Sequence, residues 1–173
     1  GVATISGKVA GDLFIIANEV RISGEIGGST YLLARTTQVS GTMQGTVRWA
    51  GDSISLLENA SLARDLFALG NSVSTEPQTQ ITGSLNVAAR SLDLQGDVVQ
   101  EARLAGDDVK LVGRFESDVS LAIASVSGLT GTDSETGLTI GENTNFGGDL
   151  MIQTESEPTL PTNLQVAGET TII

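Results

Sequence analysis

The start of the chain repeats itself every 17 residues. GKVAGDLFIIAN at 7–18, GEIGGSTYLLAR at 24–35 and GTMQGTVRWAGD at 41–52 put a glycine, a second glycine and a short apolar run in the same slots. A unit this short cannot bury its own apolar face, so it is stable only when successive units stack along an axis and share one core. With the repeat started at Val2, the units are 2–18, 19–35 and 36–52, and the pattern returns at 91–107 and 108–124, where Gly96 and Gly113 fill the slot of Gly7, Gly24 and Gly41. Two longer units, 53–71 and 72–90, carry two extra residues each within LLENASLARDL and STEPQTQITGSL, and the longer form recurs in LTIGENTNFGGDL at 138–150. Glu58-Asn59, Glu76-Pro77 and Glu142-Asn143 read as one recurring turn.

Within a unit the apolar residues alternate with Thr, Ser, Arg and Lys, as in Val20, Ile22 and Ile26, or Val109 and Leu111. A period of two means strand rather than helix. The runs LFIIA, TYLLA, VRWAG, LFALG, LNVAA, ARLAG and VSLAI then align Ile15, Leu32, Trp49, Ala68, Val87, Leu104 and Leu121 as an inward column. Glycines, with Asn18, Asp52, Asn71 and Asp107, fall where the chain must turn a corner, and such residues tolerate left-handed or tight backbone. The expected fold is all-β: a single-stranded parallel β-helix, or β-solenoid, of about nine coils of 17 to 19 residues, the last two at 137–155 and 157–173. At ~4.8 Å per coil the rod is roughly 43 Å long. A left-handed hexapeptide helix requires an aliphatic residue every sixth position, and spacings of 17 and 19 do not obey that rule, so a right-handed coil is expected. Residues 1–173 form one domain, interrupted by SVSGLTGTDSET at 125–136, which reads as a loop extruded from the side; a binding or edge-protecting role there would rest on Asp133 and Glu135.

Histidine and cysteine are both absent, which removes disulfides, Cys/His zinc sites and thiol or imidazole catalysis together. Against 21 Asp and Glu stand only 9 Lys and Arg, a formal charge of -12, and such a surface repels the phosphate backbone of nucleic acid. No stretch approaches the roughly 20 apolar residues of a membrane span. The start at Gly1 and the apolar finish at Ile172 and Ile173 read as a piece of a longer protein, with any signal peptide or membrane anchor outside it.

Phe14, Tyr31, Arg48 and Phe67 share a slot next to the inward column, which makes them an outward ladder and a candidate assembly or binding surface, the guanidinium stacking on the rings. Open strand edges at the two ends make Val2, Ile5, Ile172 and Ile173 candidates for end-to-end contacts. Arg35 with Asp52, and Arg90 with Asp107, occupy one corner slot on successive coils and read as a structural charge ladder. Asp12, Asp65 and Asp149 recur before leucine; two acids ~5 to 9.5 Å apart could serve a polysaccharide-active enzyme, but the slot lies beside a turn and reads more simply as solvated. The calcium-binding GGxGxDxUx repeat is absent, and Asn59-Ala60-Ser61 reads as an accidental glycosylation sequon. No residue is assigned to catalysis, a cofactor or a metal.

ISGKVAGDLFIIA, together with FGGDLMIQTESEPTLPTNLQVAGETTI near the other end, resembles the bactofilin and polymer-forming cytoskeletal proteins. The likeness spans nearly the whole chain and is greatest to the branch found in membrane-attached prokaryotic proteins, where a solenoid lies between a signal peptide and membrane helices. It implies a right-handed β-helix that self-associates end to end into nucleotide-free filaments, a scaffold for cell shape or the cell envelope. It implies no catalytic residues and no cofactor. Membrane contact would come only through segments outside this chain, on the extracytoplasmic face, with a cytoplasmic cytoskeleton as the alternative. A binding or adhesion module on the same solenoid is the other functional expectation, and an enzyme a third.

Overall fold

The alternation builds what it predicts. The structure is a computed structural model describing residues 1–124, 137–155 and 157–173, and in it 19 strands join one sheet in which every pairing is parallel. Each coil hydrogen-bonds to the next: Leu13 lies opposite Thr30, Thr30 opposite Val47, and Val47 opposite Leu66. This is a β-solenoid of about nine turns, with no helix among the described residues.

A coil has three strand segments. In the first they are Val2–Ile5, Lys8–Val9 and Leu13–Ile22, the last running on into the second coil. The middle segment is two residues long, too short for alternation to reveal. Asn18, Asp52 and Asn71 do stand at a corner, where the pairing register is interrupted, but the strand runs on through it without left-handed backbone.

The register explains the glycines. Coils step by 17 residues, as from Asp12 to Ser29, and by 19 where the longer units enter, as from Asp65 to Ser84. A Cβ on Gly24 would fall against the carbonyl oxygen of Gly7, and one on Gly41 against that of Gly24. Gly96 and Gly113 add positive φ angles of 98° and 137°. In the longer coils Ala60, Thr79 and Thr144 stand where the glycine would be, all buried, because a β-turn replaces the tight corner. That turn closes with Ala60 N–H donating to Leu57 O at 3.0 Å and Thr79 N–H to Glu76 O at 3.3 Å. Asn59 and Gln78 hold its positive-φ position at 66° and 67°, so the second turn centres on Pro77-Gln78, one residue beyond the expected Glu76-Pro77. Thr144 closes a third turn onto Gly141, and Leu164 N–H to Pro161 O closes a fourth that the sequence pattern did not reveal. The final step is 20 residues, from Asp149 to Glu169, one longer than the expected coil. The insertion at 125–136 lies outside the described residues; the register continues across it, with Lys110 opposite Thr139.

The core is the inward column and its neighbours on the other two sides. Leu32, Trp49, Ala68, Val87, Leu104 and Leu121 are all buried. Trp49 is the one tryptophan, and the chain makes room for it with glycine: a Cβ on Gly70 would lie 2.5 Å from its ring. Its indole N–H donates to Thr37 Oγ1 at 3.0 Å, which satisfies a polar group that would otherwise be buried unpaired. Farther along, Phe115 and Phe146 stack at 5.5 Å within the core.

Candidate functional site

On the Leu13–Ile22 side, what faces inward determines what faces out. With Ile15, Leu32, Trp49 and Ala68 turned to the core, Phe14, Tyr31, Arg48 and Phe67 form a continuous outward row, each opposite the next in the register. The Phe14 and Tyr31 rings stack at 4.4 Å and within 2° of parallel. The Arg48 guanidinium lies over Tyr31 at 5.4 Å and over Phe67 at 5.5 Å, bridging the two rings.

A second outward row, which sequence reasoning missed, lies two residues on: Ile16, Leu33, Ala50 and Leu69. Ile16 is 84% exposed, Phe14 71% and Leu69 62%. The two rows wall a shallow trough of about 630 Å³ along the rod, narrowed by Leu33 and opened by Ala50. Large apolar side chains lost to solvent in this number on one face are what an interaction surface looks like.

The same slots in the next three coils hold Asn86 and Ala88, Arg103 and Ala105, and Ser120 and Ala122. Strand pairing is unbroken between the two stretches, so the backbone does not require large outward side chains. Charge divides the rod in the same place. Residues 1–71 hold 5 Lys and Arg against 6 Asp and Glu, whereas residues 72–173 hold 4 against 15. The apolar face therefore occupies the nearly neutral half of a strongly acidic chain.

The recurring aspartates have a structural role. Asp12 Oδ1 accepts from Ser29 N–H at 2.8 Å, Asp65 Oδ1 from Ser84 N–H at 2.8 Å, Asp118 Oδ1 from Asp149 N–H at 2.9 Å, and Asp149 Oδ1 from Glu169 N–H at 2.9 Å. Each carboxylate staples its coil to the following one at a corner where the backbone amide needs an acceptor. Their recurrence in GDL, RDL and SDV is a packing rule. At the neighbouring corner Arg90 reaches Asp107 at 3.7 Å, whereas Asp52 accepts instead from Asn71 at 2.6 Å and leaves Arg35 without the expected partner. The other ion pairs, such as Lys8 with Glu25 at 3.0 Å, lie at the surface, where solvent and salt screen them. Asp97 raises the pKa of Arg114, first by hydrogen bonding to it and then by its charge. No group of three or more acidic residues among the described residues is placed to hold a metal ion.

At the two ends, Val2 is 64% exposed and Ile173 67%, with Ile172 also exposed and Ile5 half-buried. The first coil pairs on one side only, and so does the last. Inward residues that are buried in the middle coils are half-buried here: Ile5, Val9, Leu13 and Ile15 in the first coil, Leu164 and Val166 in the last. No protein-family model, curated protein or solved structure matches the chain.

Proposed function

We propose that this chain is a non-enzymatic structural scaffold, a polymer-forming solenoid of the bactofilin kind that organises the cell envelope or cell shape. The observation that carries the reading is the parallel ladder itself, in which one coil pairs with the next through the same register, Leu13 to Thr30 to Val47 to Leu66. A terminal coil of such a ladder exposes both a row of backbone groups and a cross-section of the core, here with Ile5 and Ile15 in the first described coil and Val166 and Ile172 in the last. Such an edge is a template for another strand and is stable when it is paired. A further coil placed on it continues the same parallel ladder, and a second copy of the solenoid supplies that coil.

The chemistry of the outer surface agrees with a scaffold. The recurring carboxylates are taken up by backbone amides of the next coil, and other acids, such as Asp93 with Lys110, lie in surface ion pairs. The test is electron microscopy and sedimentation of the purified chain over a range of salt. Filaments or end-linked rods are expected, and Ile5→Asp with Ile172→Asp should abolish them by placing charge in the stacked coils. A strictly monomeric species at high concentration in every salt would overturn the reading.

A further inference from the structure

We infer that the apolar outer face of the first four coils is a self-complementary contact through which two copies of the chain pair side by side and antiparallel, the first coil of one against the fourth of the other. This lateral pairing does not rest on end-to-end stacking and stands or falls separately from it.

Symmetry supplies the first argument. Two copies related by a two-fold axis along the strands, passing between the second and third coils, keep each outward row facing its own counterpart while reversing coil order. Phe14 then meets the partner's Phe67, and Ile16 meets its Leu69, so both outer coils present large apolar groups. In the middle the residues are unlike and complementary. Tyr31 faces the partner's Arg48, which already stacks on two rings in its own chain, and Leu33 faces the gap at the partner's Ala50. The order aromatic, Tyr, Arg, aromatic in one row and Ile, Leu, Ala, Leu in the other thus fits itself when reversed.

Charge selects the direction. The face itself carries Arg48 and no acid, in a chain of formal charge -12. Parallel pairing would set the acidic coils beyond residue 72 of both copies alongside one another along the whole rod. Antiparallel overlap through the first four coils sends those acidic halves to opposite ends, where separation and salt screen them. The footprint, four strands at ~4.8 Å by five residues at ~3.3 Å, is about 300 Å². That is small beside a standard interface of about 800 Å² per partner, so the dimer is weak and reversible, and screening by salt strengthens it.

The experiment uses sedimentation of the 173-residue chain carrying Ile5→Asp and Ile172→Asp, so that stacking at the ends cannot contribute. A reversible monomer–dimer equilibrium is expected, tightening as salt rises. Ile16→Ala, Leu33→Ala and Leu69→Ala together should weaken it by about tenfold or more with the circular dichroism unchanged, since Ala88, Ala105 and Ala122 already occupy that row. Direction is read in a chain that has no native cysteine. Ile16→Cys chains mixed with Leu69→Cys chains should form a disulfide-linked pair on oxidation, and neither alone should do so. Dimerisation unaffected by the triple substitution, or Ile16→Cys chains linking to themselves, would overturn the proposal. So would a chain that stays monomeric and instead floats with phosphatidylglycerol vesicles through the same residues, which would assign the face to lipid.

Discussion

Coils one to four and coils five to seven share one backbone and differ in what they show to solvent. Inside, the column runs without a break from Leu32 and Trp49 to Leu104 and Leu121, and its members are buried in both stretches. Outside, Ile16, Leu33 and Leu69 give way to Ala88, Ala105 and Ala122 on strands that continue the same ladder. Because the later coils pair equally well with small residues outward, the large ones in the early coils are not a demand of the fold. They are a property of the surface, placed where the chain is closest to neutral.

The largest effects should therefore come from the inside and should not distinguish the two stretches. Leu32→Ala and Leu104→Ala are each expected to cost about 2–5 kcal/mol in chemical denaturation, through lost burial and the cavity left behind. A loss confined to one stretch would break the comparison. Next come substitutions that exploit local fit. Gly70→Ala should cost about 1–3 kcal/mol, because its Cβ collides with both the Trp49 ring and the Gly51 carbonyl oxygen, and a Trp49→Leu background should relieve only the first part of that loss. Asp65→Ala and Asp118→Ala should each cost roughly 1–2 kcal/mol by unpairing a backbone amide of the next coil, again alike in both stretches. The smallest effect is the most telling one. Leu33→Ala is expected to shift stability by no more than about 0.5 kcal/mol, as an outward side chain should.

The sequence made one period legible and concealed the other features behind it. Alternation identified the strands and the inward column because polar residues separate the apolar ones in most coils. In LFIIA and TYLLA runs of five and four consecutive apolar residues remove that contrast, so the row of Phe14 and Tyr31 is recognisable only from its shared slot, and nothing in the pattern marks Ile16 and Leu33 as outward. The regular glycines were visible, but their cause was not: Gly24 and Gly41 need no left-handed backbone, only clearance from a carbonyl on the previous coil, which is a long-range contact. The aspartates kept their partners hidden for a similar reason. Asp12 sits beside a turn and is exposed, as expected, but its partner is Ser29, 17 residues away.

Those staples give the rod an arrow. In each of the four, the earlier coil supplies the carboxylate and the later coil the amide, from Asp12 and Ser29 to Asp149 and Glu169. The order thus runs one way along the described coils. Rods joined head to tail extend this vectorial order across every junction, whereas rods joined head to head or tail to tail set like against like. A filament built the first way would have two kinetically distinct tips, and one built from alternating junctions would have none.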